Sequence, residues 1–389
     1  MTSRFRMLHG LLRLLAVIGF LIYPLVLPMF FPEFARVGND SLCLLLAGVT
    51  AFLLSIWLND DRDTLVSLVL GLVLGLGLLA KALFVPVAAA LFCFIVLRQF
   101  RKGTASHPAA PRNIALIFVP AVFLGGFWYA YSFHVSGSLV VSADSMALAH
   151  AGGLTENLVQ KFSLMAFLRG LAVPPVSYLW AGSWSLARLP VFLQIPMLVL
   201  ALLCFTAFIL QIRDRAVTDR EWLPVWLFGV FAIGILCHVI VSMAAYGHGN
   251  TPGWYFHITM PWVAPALGIG VCALLRSART RTLAVGLLSY AVLFQIMAVW
   301  AEFSLFTGCA TKADDKSYAF PGHALCLDQL PIMAERLSVL GWPLLAIAGF
   351  GGGLICTLLL WRMLRRSAAN NRLVVRNQSP TTMTRAGIY

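Results

Sequence analysis

The chain has 389 residues, of which 60% are hydrophobic and 11% charged, and its mean hydropathy is +0.87. A soluble protein carries about 25% charged residues, so the composition excludes an ordinary soluble domain and predicts an all-α, polytopic transmembrane protein. Alternating segments of about ten residues, which would indicate a transmembrane β-barrel, are absent from the sequence. The net charge of +13 is typical of arginine-rich cytoplasmic loops and does not call for a nucleic acid.

Apolar runs long enough to cross a bilayer core of about 30 Å recur along the whole chain. Arg4, Arg6 and Arg13 precede the first run, which has no small-residue cleavage site and therefore predicts a retained helix rather than a signal peptide. About ten spans are predicted, at residues 8–30, 42–58, 64–80, 82–98, 114–133, 187–211, 222–245, 257–275, 283–305 and 338–361.

The segment PEFARVGNDSL leads into the second predicted span and places Asn39 and Asp40 at its outer boundary. One reading is a helix cap, because Asn or Asp before an apolar run is a common amino-terminal signal. The other reading is a carboxylate that lines an outward cavity and orients an acceptor or a metal. The sequence alone leaves both readings open.

The next segment, LVSLVLGLVLGLGLLAKALF, combines small residues with a single charge. Gly71 and Gly75 have the GxxxG spacing that allows close helix packing. Lys81 stands between two apolar runs. It either snorkels to the interface or acts as a point charge for a lipid-linked phosphate, since ionisable groups at membrane edges are often functional.

The first long outside segment, residues 134–186, contains a predicted amphipathic surface helix from Thr155 to Leu171. Thr155 can cap it, and its apolar residues recur at helical spacing. We expect this helix to lie flat on the outer membrane surface.

The second outside segment and the residues after it read GHGNTPGWYFHITMPW. A turn between two spans needs only a few polar residues, and this segment is denser in glycine, proline, histidine and aromatic residues. Trp254 and Tyr255 can stack on a sugar ring, and His248 and His257 can hydrogen-bond phosphate or hydroxyl groups. The alternative is an aromatic belt with a glycine turn. His238, in the preceding span, is predicted to make a core hydrogen bond rather than to bind metal.

The last outside segment, residues 306–337, contains Cys309 and Cys326. We predict a disulfide between them, which would close a polar loop in an oxidising space; the alternative is two free thiols. A basic tail follows at residues 362–389. Most of the 28 lysines and arginines fall on the segments that lie inside when both termini are cytoplasmic, and this bias predicts that orientation.

Taken together, these motifs resemble the GT-C superfamily of membrane glycosyltransferases. The resemblance is carried by PEFARVGNDSL, by the pattern GLxLGLxxLxK, by YLWAGSWSLARLPVFLQIP and by PGWYFHITMPWVAPALGIG, and it covers roughly residues 20–300. It implies a GT-C-like domain over residues 1–361 in a bacterial inner (plasma) membrane. It also implies transfer of a hexose or pentose from a polyprenyl phosphate to a lipid or cell-envelope acceptor on the outer face.

By the same resemblance, Asp40 would contact the acceptor or a divalent metal, and Lys81 would contact the lipid phosphate. Tyr255 and His257 would line the cavity, with Asn39, His248 and Trp254 as further binding residues. The sequence departs from the family in lacking a long acidic first outside loop before PEFARVGNDSL. We therefore expect either a truncated start or lost activity. Two other functions stay open, a transporter or flippase of lipid-linked glycans and a non-catalytic membrane subunit.

The predicted orientation is testable by cysteine labelling in intact cells. In a variant without native cysteines, a membrane-impermeant thiol reagent should modify a cysteine placed in residues 306–337. It should not modify cysteines placed in residues 99–113 or 362–389. Labelling of Ser106→Cys from outside would contradict the predicted topology.

Overall fold

The structure is a computed structural model of the chain. It describes residues 39–102, 110–140, 142–150, 152–179, 191–213, 219–249, 251–307, 311–312, 318–319, 331–332 and 335. The described residues up to Glu302 belong to one compact unit, which contains the site discussed below. The described residues of a second unit are the end of the last helix and a few short segments.

The described residues are almost all helical. The helices are α1 Asn39–Trp57, α2 Thr64–Ala80, α3 Phe84–Lys102, α4 Ala110–Ser136, α5 Ala143–His150, α6 Leu154–Lys161, α7 Leu164–Leu179, α8 Val191–Arg213, α9 Asp219–Tyr246, α10 Met260–Arg276 and α11 Ala278–Thr307. A 3₁₀ helix, Gly253–Thr259, precedes α10 without a break, and the two-residue strands β1 Thr311–Lys312 and β2 Tyr318–Ala319 form a small sheet.

Seven candidates among these helices are long and apolar enough to cross a membrane by length and composition, when the 3₁₀ helix and α10 are counted together as one. α6 and α7 together add an eighth candidate if the bent pair counts as one span, and α2 is a shorter apolar helix of 17 residues. The prediction of a helical membrane protein is confirmed at this level. Eight of the ten predicted spans fall on described helices, whereas residues 8–30 and 338–361 lie outside the described part of the chain, so the number of spans stays a prediction.

The core of this unit is built mainly from α1 to α4 and α9, with the start of α10 packed into it. Its largest fully buried side chains include Trp57, Phe84 and Phe231. α1 and α2 run in opposite directions, and polar contacts gather at the two ends of this helix pair. We call them the Lys81 end, where α2 finishes and α1 begins, and the Arg98 end, where α1 finishes and α2 begins.

At the Arg98 end, a buried guanidinium joins three segments. Arg98 Nη1 lies 2.6 Å from Asp61 Oδ2, and Arg98 Nε lies 2.8 Å from Asp219 Oδ2. The side chain of Arg98 is only 6% exposed and stacks on the ring of Trp57, 5.1 Å from its centroid. Asn113 also donates a hydrogen bond to the carbonyl of Asp61. A charge this deeply placed is tolerated because both carboxylates neutralise it, and it fixes the α1–α2 turn against α3 and α9.

The glycines of α2 allow α4 to approach closely, as the GxxxG spacing predicts. A methyl carbon on Gly71 would lie 2.7 Å from the carbonyl oxygen of Leu116. A methyl carbon on Gly75 would lie 2.8 Å from Cβ of Leu124. These separations are too short for any side chain, so the α2–α4 contact requires glycine at both positions.

The predicted single surface helix from Thr155 to Leu171 is wrong, because the chain breaks into α6 and α7, which meet at 109°. Phe162 takes an extended conformation that ends α6. Ser163 then begins the next helix, since its carbonyl oxygen accepts from the N–H of Phe167 at 2.8 Å and its hydroxyl from that of Ala166 at 3.5 Å. The apolar spacing continues through the break, so periodicity alone did not reveal the capping serine.

The α2–α4 contact predicts opposite effects of two glycine-to-alanine substitutions. Gly71→Ala should lower the free energy of unfolding by about 1–3 kcal/mol, the usual cost of overpacking. Gly48→Ala is the control, since a methyl group there meets nothing within 4 Å and alanine favours a helix by about 1 kcal/mol. Thermal unfolding in one detergent would measure both. Equal melting temperatures would contradict the tight contact.

Candidate functional site

The Lys81 end brings together residues from three distant parts of the chain. Lys81 Nζ donates to Asp40 Oδ1 in an ion pair whose side chains are 21% and 15% exposed. Asn39 Nδ2 donates to the carbonyl oxygen of Ala80 at 3.2 Å. Two of the sequence motifs, GND and LAK, therefore meet in one half-buried polar cluster.

Helix ends explain why these side chains meet here. Asp40 lies in the first turn of α1, where the helix macrodipole favours a negative charge. Lys81 follows the last residue of α2, where the dipole favours a positive charge, and its backbone N–H still bonds Gly77 at 3.1 Å. Asn39 satisfies one of the carbonyls that α2 leaves open at its end. The arrangement thus stabilises both helix termini as well as forming a charged site.

Tyr255 completes the cluster by covering Lys81. The ammonium lies 4.8 Å from the centroid of the Tyr255 ring, within the range of a cation–π interaction. Tyr255 is on the 3₁₀ helix, whose last backbone bond runs from the N–H of Met260 to the carbonyl of His257. Pro261 has no N–H for the α-helical bond to that same carbonyl, which leaves it available for the tighter 3₁₀ bond.

The three-residue period of the 3₁₀ helix sends neighbouring aromatic residues in different directions. While Tyr255 contacts Lys81, Phe256 packs among core aromatic residues, with its ring 5.3 Å from that of Phe231. His257 is buried, and its Nε2 lies 3.2 Å from the carbonyl oxygen of Tyr178 on α7. The sequence placed Tyr255 and His257 on one cavity wall, but the structure assigns them to different surroundings.

α7 braces the 3₁₀ helix from behind. The N–H of Gly253 donates to Ser177 Oγ at 2.7 Å. Gly253 also lies directly against the carbonyl of Pro174, where a methyl group would not fit, and Gly249 is similarly close to Gly170. Gly249 and Gly253 are therefore required by backbone contact with α7, whereas Gly247 has a left-handed backbone with a φ of 77°. The contact at Gly253 helps to fix where Tyr255 points.

A second polar cluster also lies beside Tyr255. His238 on α9 stands with its ring 5.8 Å from that of Tyr255. His238 Nδ1 is 2.9 Å from Thr251 Oγ1, and His238 Nε2 is 3.8 Å from Asp144 Oδ2. The predicted hydrogen bond of His238 is confirmed, but its side chain is 37% exposed and is not buried in the core.

The sequence reading missed Asp144, which α5 positions. Ser142 and Ser145 cap this helix reciprocally, each hydroxyl accepting from the other's backbone N–H at 3.1 and 2.9 Å. α5 and α6 then pack on the end of α9 through a small cluster that includes Leu148 and Ala244. The capping serines were a usable signal for a helix at Asp144, but nothing in the sequence indicated that it would face α9.

The remaining predicted residues lie outside these two clusters or outside the described chain. His248 is near the end of α9, with Nδ1 3.1 Å from the carbonyl oxygen of Tyr246. The ring centroids of Trp254 and Tyr255 are 6.3 Å apart. Cys309 and Cys326 fall outside the described residues, so their disulfide stays a prediction.

The residues at the Lys81 end do not fit a divalent metal ion. Among the described residues, no three His, Cys, Asp or Glu side chains lie close enough together to hold one. Asp40, the carboxylate that the resemblance assigns to a metal, is instead paired with the ammonium of Lys81, and that neighbouring positive charge disfavours a second cation.

Comparison with known proteins does not assign the chain to a family. No family model, no curated protein and no solved structure matches the chain.

The Asp40–Lys81 pair predicts coupled effects on stability. Asp40→Asn and Lys81→Met should each cost more than the ~0.2–1 kcal/mol of an exposed pair and less than the ~3–5 kcal/mol of breaking a buried one. The double variant should cost less than the sum of the two, because no unpaired charge remains. Thermal unfolding in detergent would measure the cycle.

Arg112→Met combined with Asp40→Asn is the control for that cycle. Arg112 bonds Thr64 at the start of α2, which a helix of 17 residues separates from Lys81 by roughly 25 Å. These two changes should therefore be additive. Additivity of the Asp40 and Lys81 variants would show that the two side chains do not interact.

Proposed function

We propose that this protein is a membrane glycosyltransferase-like protein that binds a polyprenyl-phosphate-linked sugar at the Lys81 end. In this proposal Lys81 holds the phosphate, and the acceptor is a lipid or another cell-envelope molecule. The observation that carries it is the position of one ammonium group, held between Asp40 and the Tyr255 ring and still 21% exposed.

The charge and location of Lys81 favour an anionic, membrane-borne ligand. The ammonium has three N–H donors. A phosphate can therefore share Lys81 with Asp40 or replace it. The surrounding helices are apolar and have many large exposed hydrophobic side chains, among them Leu42 on α1 and Leu79 on α2. A ligand with a polyprenyl chain can lie along such a surface while its phosphate reaches the helix ends.

The Lys81 end also contains the groups that sugar transfer from a phosphate would use. The acceptor hydroxyl oxygen would bond to C1 of the sugar, and the bond from C1 to the phosphate oxygen would break with its electron pair going to the phosphate. Lys81 would balance the charge on that leaving group. Asp40 is the nearby carboxylate that would take the hydroxyl proton.

The proposal predicts opposite effects of removing the two charges. Lys81→Ala should weaken binding of a polyprenyl phosphate about tenfold or more, because a charged hydrogen bond contributes about 1.5–3 kcal/mol. Lys81→Arg should keep most of the affinity. Asp40→Asn should tighten binding, because Asp40 no longer competes for Lys81 or repels the phosphate. The measurement is binding of a polyprenyl phosphate to purified protein in nanodiscs.

Arg169→Ala is the matched control for this experiment, since Arg169 is an exposed cation on α7. This substitution should leave the affinity for the polyprenyl phosphate unchanged. The uncharged parent polyprenol should bind with the same affinity to all variants. A lysine with a purely structural role gives another pattern, in which the Lys81 and Asp40 variants melt earlier but bind as the wild type does. That pattern would refute the phosphate assignment.

A further inference from the structure

We propose that Asp144 and His238 form a binding subsite for a sugar hydroxyl, near the phosphate position at Lys81, with the Tyr255 ring close to both. This inference rests on the proposed function and assigns the sugar part of the ligand to residues that the sequence analysis did not connect. It starts from the 3.8 Å between Asp144 Oδ2 and His238 Nε2.

That distance is too long for a direct hydrogen bond between the two side chains. An oxygen atom placed about 2.8 Å from each of them, however, makes a normal hydrogen bond to both. Both side chains are partly exposed, Asp144 at 17% and His238 at 37%. A ligand oxygen can therefore approach this pair, beside the side chain of Tyr246, which is hydrogen-bonded to Asp144.

The chemistry of the pair favours a hydroxyl group in that gap. A carboxylate only accepts hydrogen bonds, whereas a neutral imidazole donates from one nitrogen. Thr251 occupies Nδ1 of His238, so Nε2 is the nitrogen that faces Asp144. A hydroxyl can donate to Asp144 and accept from Nε2 at once. A phosphate oxygen that carries no proton cannot donate and would be repelled by Asp144. The Asp144–His238 cluster therefore favours a hydroxyl, whereas Lys81 favours a phosphate.

The Tyr255 ring lies close to both polar clusters. The ring lies 4.8 Å from Lys81 Nζ and 5.8 Å, between centroids, from the His238 ring. An aromatic face beside hydroxyl-binding polar groups suits a sugar, because its C–H surface packs on the ring while its hydroxyls reach the polar groups. In a sugar phosphate the sugar and the phosphate are joined by a covalent bond. The two polar clusters likewise lie next to each other, beside the same ring.

The elements that hold the subsite are supported by the surrounding structure. α5 carries Asp144 in its first turn between the reciprocally capping Ser142 and Ser145. Lys161 fixes α6 to the end of α9 by donating to the carbonyl of Ala245 at 2.9 Å. An acidic residue in a first helical turn often serves only the helix. Here the same carboxylate also faces a histidine from another helix.

The test compares two lipids on each protein in nanodiscs. One is a polyprenyl phosphate, and the other is the same lipid carrying a hexose or a pentose on the phosphate. In the wild type the sugar-bearing lipid should bind more tightly. Asp144→Asn and His238→Ala should each lower that preference about tenfold while leaving the sugar-free lipid unaffected. Lys81→Ala should weaken both lipids and leave the preference unchanged.

Glu156→Gln and His134→Ala are matched controls at exposed positions of α6 and α4, and both should keep the preference. If the sugar-free lipid binds but Asp144→Asn and His238→Ala keep the wild-type preference, the gap holds only water and the subsite is overturned. If these variants lose both lipids together, their role is structural and the subsite is again overturned. If the wild type binds neither lipid, the proposed function itself fails and this inference fails with it.

Discussion

Ion pairs fasten the α1–α2 hairpin at both of its ends, and the rest of the described unit is arranged around it. At one end Asp40 of α1 pairs with Lys81 after α2, and at the other Asp61 in the turn pairs with Arg98 of α3. Hydrophobic burial alone does not fix the position of a helix along its neighbour, because lipid is as apolar as the helix surface, although close packing at glycines contributes. Charged groups that must be paired do fix it, since sliding by one turn would leave charges unpaired in an apolar surrounding.

Glycine residues allow the helices of this unit to pack closely. Gly71 and Gly75 bring α4 against α2, and Gly270 similarly brings the backbone of α10 against Cys204 of α8. At the Lys81 end, Gly253 performs the same role between the 3₁₀ helix and α7. The broken helix pair α6–α7 is therefore part of the support for the candidate site. Several of its apolar side chains, such as Met165 and Leu168, are exposed on the surface of the described unit.

The 3₁₀ helix decides which aromatic residue takes part in the site. With three residues per turn, only every third side chain shares a direction. Tyr255 therefore contacts both polar clusters, while the two residues after it are committed to the core and to α7. The proposed arrangement, with a phosphate at Lys81 and a sugar hydroxyl at His238, depends on this one ring lying close to both side chains. It also depends on α7, because the contacts at Gly253 orient the 3₁₀ helix.

The sequence by itself determined the class of the protein and the approximate position of the long apolar helices among the described residues. Long apolar runs admit few backbone structures other than helices, since every backbone polar group must be bonded within the run. It also predicted that Asn39, Asp40, Lys81 and Tyr255 are unusual, because polar groups at the edges of apolar runs stand out. Only the tertiary structure decided which of these residues meet. The pairing of Asp144 with His238 depends on how α5 packs on α9, the burial of His257 depends on the 3₁₀ helix and its contact with α7, and the break at Ser163 depends on a local cap. Those outcomes are contacts between residues far apart in sequence or departures from helical periodicity, and apolar spacing does not encode either.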